Sequence, residues 1–216
     1  MDFIFRAIFY KYISGLTECG NVTYTKFYLD GTFRQLKREI PDKGAAAKYD
    51  TQGLPGRISF MTIFDEETRL VGYPKLHLYV EVEGAEDADI FVWMQKLDQN
   101  GNMLSEITVP NHGAAIRDFN DDGASITRYK GSWGKLRLSM RHMDEQETTD
   151  EIPAYSFDRV EKLEKGQVVE ADIVMSPVGM AFHKGESIRL ILSSKKEYRN
   201  SMMQPPAVYQ RTGDDR

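Results

Sequence analysis

The sequence lacks the features that mark a secreted or membrane protein. It has a single cysteine, Cys19, so no intrachain disulfide can form. The apolar N-terminus is interrupted by Asp2, Arg6 and Lys11, and no run approaches the roughly 18 apolar residues that a membrane span requires. It also lacks the uninterrupted apolar core and small-residue cleavage site of a secretory signal. These absences predict a soluble, cytoplasmic protein without a membrane partner.

Basic residues are also fewer than acidic ones. The chain has 28 Lys and Arg against 33 Asp and Glu, which gives a formal net charge of −5. A nucleic-acid-binding protein needs a basic stripe to neutralise phosphates, and none is present. The composition therefore predicts no nucleic-acid partner.

The sequence also lacks a nucleophile elbow, because no Gly-x-Ser-x-Gly pentapeptide occurs in it. Ser132 and Lys135 match a Ser-x-x-Lys pair, but Gly134 and the strand predicted from Lys135 onward contradict the helix on which such a pair works. Cys19 has no neighbouring base to activate it. We therefore predict no catalytic residue.

Metal ligands are sparse as well. The four histidines lie at least 30 residues apart, and none has a partner at metal-ligand spacing. Asp118, Asn120 and Asp122 match the first half of a calcium loop, yet the twelfth position is Tyr129 instead of a glutamate. A solvated turn is the alternative interpretation, and no cofactor is predicted. Two carboxylate pairs are interpreted as solvated loop charges: Asp87 with Asp89, and Glu145 with Glu147.

The pattern of the chain from Val22 onward is typical of β-structure. About ten short strands with no interior helix predict an all-β, two-layer sandwich. The predicted strands cover residues 23–29, 32–39, 57–64, 75–83, 89–97, 103–109, 135–141, 168–175 and 187–194. The sandwich is predicted over residues 21–194, after a segment 1–20 with a short helix at 3–13 and before an irregular tail, 195–216.

Two strands are informative in detail. In Lys75–Glu83 apolar and polar residues alternate, which predicts one buried and one wet face. In Asp89–Leu97 both faces carry apolar residues, which predicts a central strand covered on both sides. Asn100-Gly101 then predicts a two-residue hairpin turn with positive φ at both positions. Four aromatic residues are interpreted as sandwich core, with a binding platform as the alternative: Trp93, Tyr129, Trp133 and Tyr155.

Several short motifs occur in a recognisable order. They include Lys26-Phe27-Tyr28-Leu29-Asp30-Gly31, Gly72-Tyr73-Pro74-Lys75-Leu76, the run Asp87 to Val92, Lys96-Leu97-Asp98, Lys135-Leu136-Arg137, Arg141-His142 and the run Met180 to Gly185. They lie within residues 24–194. This stretch resembles the C-terminal, non-catalytic β-sandwich domain of the Xaa-Pro dipeptidyl-peptidase and cocaine-esterase-like (CocE/NonD) family of serine hydrolases. The resemblance implies a jelly-roll sandwich of the galactose-binding-like kind.

The resemblance also implies a function and a partner. The parent activity would be dipeptidyl-peptidase or ester and amide hydrolysis, carried by an α/β-hydrolase domain that is missing here or lies in another chain. The sandwich alone would be non-catalytic. In the family, the strand that corresponds to Ser187–Ser194 is followed by a further strand that closes the sheet. In this chain the residues that follow, 195–216, have little strand pattern. We therefore expect Ser187–Ser194 to lie beside a sheet edge that is open or covered in a different way.

Two alternatives remain open at this stage. A stand-alone jelly-roll module could bind a carbohydrate or a protein through the loop 111–132. Alternatively, the aromatic N-terminal segment or the unclosed edge could drive homo-oligomerisation.

Overall fold

The structure is a computed structural model that describes residues 2–3, 25–41, 46–53, 56–110, 126–149 and 153–196. These residues form an all-β sandwich, as predicted. The one helical element among them is a 3-10 turn, Leu138–Met140. The strands are β1 (Asp2–Phe3), β2 (Tyr28–Asp30), β3 (Gln35–Lys37), β4 (Ala47–Lys48), β5 (Arg57–Ile63), β6 (Thr68–Gly72), β7 (Lys75–Glu81), β8 (Asp89–Leu97), β9 (Met103–Leu104), β10 (Glu106–Pro110), β11 (Ile126–Tyr129), β12 (Trp133–Arg137), β13 (Val168–Val174), β14 (Val178–Phe182) and β15 (Ser187–Ser193).

One layer of the sandwich, which we call the main sheet, has the order β12-β8-β15-β5-β3-β2, with β9 also paired to β8. Its pairs are antiparallel except β3 with β5, which meet in parallel at one residue pair, Gln35 with Met61. The long strand β8 lies inside this sheet, so the prediction that Asp89–Leu97 forms a central strand is confirmed.

The other layer contains a long two-stranded ribbon. One side of the ribbon is β6 followed by β7, and the other is β13 followed by β14. At the junction, two residues separate β6 from β7 while three separate β13 from β14, which is the geometry of a β-bulge. The amide of Met175 donates to the carbonyl of Pro74 there, at 3.1 Å. Two further antiparallel pairs, β1 with β4 and β10 with β11, complete the described strands.

The core lies between the main sheet and the ribbon. Alternate residues of β7 and β13 face alternate residues of β8, β15 and β5, and all belong to one buried cluster. Its fully buried members include Phe60, Leu76, Leu78, Val92, Ile173, Leu190 and Leu192. The alternation predicted for Lys75–Glu83 is confirmed, because Leu76, Leu78 and Val80 are buried and their neighbours are partly exposed.

The expectation that the final strand lies beside the sheet edge is wrong. Strand β15 pairs with β5 on one side and with β8 on the other, each over seven residues. The hydrophobic composition of Ser187–Ser193 suits this interior position, since both faces of a central strand are enclosed.

Three local predictions need correction. Strand β6, which ends at Gly72, was not predicted. Residues 178–182 form β14, although a break in the strand pattern was expected there. The Asn100-Gly101 hairpin exists, but Gly101 alone has positive φ. The amide of Asp98 bonds the carbonyl of Asn102 and that of Gly101 bonds the carbonyl of Asp98, so the loop has three residues instead of two.

The described residues do not test every expectation. Phe3 belongs to β1, while residues 4–13 of the predicted helix, Cys19 and His112 lie outside the described ranges. The proposed boundaries at residues 20 and 194 stay predictions. Among the described residues, no helix is long and apolar enough to cross a membrane.

Candidate functional site

A serine, a histidine and an aspartate come together in the loop that links β12 to β13. Nδ1 of His142 lies 2.8 Å from Oγ of Ser156 and 3.4 Å from Oδ1 of Asp158. The Ser156 hydroxyl also donates a hydrogen bond to that carboxylate, and this bond lowers the pKa of Asp158. In a catalytic triad the serine faces one ring nitrogen and the acid holds the other. Here both meet the same nitrogen, so the cluster fastens the loop and does not form a proton relay.

Arg141 fastens the same loop at its other side. Its Nη1 donates to the carbonyls of Leu138, at 3.0 Å, and of Glu161, at 2.6 Å, and its Nη2 lies 3.0 Å from Oε2 of Glu161. Between these fixed points the backbone of Phe157 has a φ of 51°. A bulky residue rarely adopts this left-handed conformation, and the surrounding bonds hold it there. Arg141-His142 was part of the family resemblance, and the structure gives both residues a structural task.

Tyr155 covers the edge of β13. Its hydroxyl donates to the carbonyl of Asp172 at 2.5 Å, and burial raises the pKa of the phenol to about 12. The ring packs against the core cluster. Tyr155 therefore belongs to the sandwich and does not contribute to an aromatic platform.

Ser132 lies where the main sheet meets the ribbon. We call this junction the seam and define it as residues 131–134 together with residues 175–177. Its side chain is fully buried and donates to the carbonyl of Ser176. Gly134 forms an antiparallel bridge with Met175. A Cβ on Gly131 would lie 1.8 Å from the carbonyl oxygen of Met94. Ser132 is thus a turn residue before a strand, as predicted, and its hydroxyl is enclosed.

The interpretation of Asp87 and Asp89 as solvated loop charges is wrong. Oδ1 of Asp87 accepts from the amide of Ser139 at 2.9 Å, and Oδ2 accepts from the Ser139 hydroxyl at 2.6 Å. Asp89 binds Arg137 through two bonds, of 2.8 and 2.9 Å, and this pair raises the pKa of Arg137. Both carboxylates therefore hold the end of β12 in place. Their partners lie about fifty residues away, so local sequence gave no sign of the contact.

Two of the four aromatic residues do come together. Trp133 of β12 lies directly opposite Trp93 of β8, so the two indoles share the face of the main sheet that points away from the core. The Trp93 indole donates to the carbonyl of Lys130 at 3.0 Å. Tyr129 instead packs against the core cluster, and its hydroxyl donates to the carbonyl of Pro177 at 3.0 Å. The interpretation as core is confirmed for Tyr129 and Tyr155 but not for the tryptophans.

The face that carries these tryptophans, which we call the outer face, is apolar over much of its area. It consists of the residues of β12, β8, β15 and β5 that alternate with the core residues. Its apolar members are Met61, Ile63, Phe91, Trp93, Leu97, Trp133 and Ile191. Near its centre the guanidinium of Arg189 donates twice to Oε1 of Gln95, at 2.8 and 2.5 Å. Met61 and Ile63 of β5 are exposed on this face, whereas Leu97 of β8 and Ile191 of β15 are buried, so its two halves differ in accessibility.

The described histidines form pairs and not metal sites. His77 contacts Asp172 at 2.8 Å across the ribbon, and this hydrogen bond raises the pKa of His77. His183 lies 3.4 Å from Glu67 at an exposed position. Within the described ranges, no group of three or more His, Cys, Asp or Glu side chains could hold a metal ion. The calcium candidates Asp118, Asn120 and Asp122 lie outside those ranges and stay a prediction.

A cleft of about 440 Å³ opens where β3 diverges from β5 after their single residue pair. It is lined by Phe27, Leu36, Arg38, Thr62, Ile63, Phe64, Asp65 and Glu66. None of the residues singled out from the sequence as site candidates lines it.

Comparison with known proteins agrees with this non-catalytic geometry. Residues 19–215 match the family described as the X-Pro dipeptidyl-peptidase C-terminal non-catalytic domain. Two solved structures of a CocE/NonD family hydrolase from Staphylococcus aureus superpose with a TM-score of 0.70 at 26% sequence identity, over 86% of this chain. An α-amino acid ester hydrolase matches more distantly, with a TM-score of 0.43 and 16% identity over 67% of this chain. No curated protein matches the chain.

The extent of these matches matters for interpretation. The chain spans 31% of the length of the Staphylococcus aureus hydrolase and 19% of the length of the α-amino acid ester hydrolase. The matched family covers nearly the whole of the present chain, and its description is that of a domain without catalytic residues. The chain therefore belongs to the family of X-Pro dipeptidyl-peptidase C-terminal non-catalytic domains.

Proposed function

We propose that this chain is the supporting sandwich of a serine hydrolase of the dipeptidyl-peptidase or acyl-esterase type. It pairs with an α/β-hydrolase domain, which supplies the nucleophile, and it hydrolyses no substrate by itself. The observation that carries the proposal is the geometry of His142, Ser156 and Asp158. The serine and the acid share one ring nitrogen, so this cluster lacks the relay that acyl transfer requires.

The other polar clusters support the same interpretation, because each connects two parts of the sandwich. Asp87 joins the start of β8 to the residues after β12, Arg141 joins the 3-10 turn to residue 161, and Ser132 joins the main sheet to the ribbon. Since their polar groups are engaged in these bonds, these clusters serve stability and not chemistry.

The test is an activity assay on the purified chain. We expect no hydrolysis of an Xaa-Pro-coupled chromogenic peptide or of a short-chain nitrophenyl ester. The matched control is the variant Ser156→Ala, which removes the one hydroxyl beside an imidazole in this loop. Turnover that survives purification and disappears in Ser156→Ala would contradict the proposal. The hydrolase partner is sought in the neighbouring reading frame, as a Gly-x-Ser-x-Gly elbow followed by its acid and histidine.

A second candidate function is a stand-alone, galactose-binding-like module for a carbohydrate or a protein. The cross-strand pair Trp93 and Trp133 favours it, because stacked or adjacent indoles suit the apolar face of a sugar. Calorimetric titration with oligosaccharides, with and without calcium, tests this candidate together with the Asp118, Asn120 and Asp122 loop. Saturable heat that requires calcium would favour it over the supporting-domain proposal.

A further inference from the structure

Two neighbouring strands of the main sheet separate and leave a cleft between them. Strands β3 and β5 run parallel and pair at one position, Gln35 with Met61. There the amide of Met61 donates to the carbonyl of Arg34 at 3.1 Å. Beyond this pair the strands diverge around the cleft of about 440 Å³, a volume within the range of small ligand sites. The cleft therefore interrupts the sheet between two of its strands.

Backbone groups of β5 point into this cleft. The N–H groups of successive strand residues point alternately to the two neighbouring strands. The amide of Phe64 donates to the carbonyl of Glu186 at 2.9 Å, on the β15 side, and that of Met61 donates on the β3 side. Ile63, two residues after Met61, therefore directs its N–H and C=O groups toward β3. The pairing of β3 with β5 has already ended at Met61, so this part of β5 is an edge on which another strand can form.

The side chains around the cleft suit an extended peptide. The buried lining residues are apolar: Phe27, Leu36 and Phe64. The exposed lining residues at its wide end are charged, with Arg38 after β3 and both Asp65 and Glu66 after β5. Two carboxylates face one guanidinium there, so this end has a net negative charge. A free strand edge beside apolar pockets is how proteins bind a peptide as an added strand.

We propose that the cleft between β3 and β5 binds an extended segment of a partner protein, which pairs its backbone with Ile63 and adds a strand to the main sheet. The segment directs apolar side chains toward the buried lining and a basic side chain toward Asp65 and Glu66. The inference does not depend on the supporting-domain function, because it concerns the recognition of peptide backbone and not the activity of the partner.

Amide hydrogen exchange of the full chain alone, followed by NMR, gives the first test. We expect the amide of Ile63 to exchange at least about a hundredfold faster than the amide of Phe64, because only the latter is bonded to β15. Equal protection of the two amides would overturn the proposal. If that protection is independent of protein concentration, the chain fills its own cleft, and if it rises with concentration, a second copy does.

Binding is tested with a set of capped pentapeptides of the form acetyl-Lys-X-Thr-X-Thr-amide, where X is Val, Ile, Leu or Phe. At least one of them should shift the amide signals of Ile63 and Arg38 and slow the exchange of the Ile63 amide roughly fivefold or more. The matched control is the same peptide with every backbone nitrogen methylated, which keeps the side chains and the charge but cannot donate. Binding by none of the peptides, or equal binding by the methylated one, would refute the proposal.

Variants of the chain identify the groups that hold the peptide. Ile63→Pro removes the N–H that faces the cleft and leaves the bonds to β15, whereas Ile63→Ala changes only the side chain. We expect the proline variant to bind the peptide roughly fivefold more weakly than the alanine variant. Asp65→Asn with Glu66→Gln should weaken binding of the lysine peptide roughly threefold and leave that of its glutamine analogue unchanged. Equal affinity of the two Ile63 variants would contradict backbone pairing. If Ile63→Pro does not fold, the methylated peptide still decides the question.

Discussion

The ribbon and the main sheet bury similar apolar residues against each other, yet their opposite faces are unlike. The outward face of β7 and β13 carries Lys75, His77, Tyr79, Glu170 and Asp172, which water or a neighbour can satisfy. The outward face of β8 and β15 carries Phe91, Trp93, Leu97 and Ile191. Leu97 and Ile191 are 1% and 4% exposed, so this part of the main sheet is buried on both faces, whereas the ribbon has one buried and one wet face.

The polar groups of the two layers also differ in their surroundings. On the ribbon, polar residues lie on a face open to solvent and make cross-strand pairs such as His77 with Asp172. On the main sheet, the polar residues Gln95 and Arg189 bond each other inside an apolar surround. The following predictions test the comparison, from the largest expected effect to the smallest.

The largest effect is expected where the two layers join. Gly131→Ala places a Cβ 1.8 Å from the carbonyl oxygen of Met94, at a φ of +114°. The backbone of the seam must shift, and we expect the free energy of unfolding to fall by at least about 3 kcal/mol. Chemical denaturation measures the change. Gly179→Ala is the matched control, because a Cβ there meets nothing within 4 Å. Equal stability of the two variants would mean that the seam is not rigid.

The next prediction compares side chains on the outward faces of the main sheet and the ribbon. Ile191→Ala on the main sheet removes a side chain that is 4% exposed, and we expect a loss of about 2 kcal/mol. Val168→Ala on the ribbon removes one that is 46% exposed, and the expected loss is below about 0.5 kcal/mol. Urea denaturation of both variants gives the comparison. Similar losses would show that the two outward faces are equivalent, contrary to this account.

The smallest effect concerns the wet face of the ribbon and depends on pH. The hydrogen bond to Asp172 raises the pKa of His77 in the folded state above its ordinary value of 6.5. The protonated form is thus favoured in the folded protein. Its stabilisation is complete below the unfolded pKa and is lost as the pH rises through the folded pKa.

We therefore expect His77→Gln to lower the free energy of unfolding by up to about 1 kcal/mol near pH 5.5 and by much less near pH 8.5. Denaturation at the two pH values measures the difference. A cost that is larger at the higher pH would reverse the assigned sign.

The sequence predicted the parts of the fold that depend on local pattern. Alternation in Lys75–Glu81 and the two-sided apolar run in Asp89–Leu97 identified a wet-faced strand and a central strand, and both are confirmed. The edge position of Ser187–Ser193 was wrong, because the partners of a strand depend on topology and not on its own residues. That strand has apolar residues on both of its faces, which already indicated a strand buried on both sides: Ile188, Leu190, Ile191 and Leu192.

The polar clusters could not be predicted in the same way. Asp87 and Asp89 were interpreted as solvated, since the partners that engage them, Ser139 and Arg137, are about fifty residues distant. The short spacing of Ser156 and Asp158 was visible, but the histidine that meets them comes from fourteen residues earlier through a loop whose path only the fold determines. Contacts of this kind appear once the sheets are assembled.

The most direct test of the enclosed half of the main sheet compares Ile191→Ala with Leu190→Ala, on the core face of the same strand. Because Ile191 is 4% exposed and Leu190 is fully buried, we expect each substitution to lower the free energy of unfolding by about 2 kcal/mol or more, measured by chemical denaturation. A loss below about 0.5 kcal/mol for Ile191→Ala, beside a full loss for Leu190→Ala, would contradict the account.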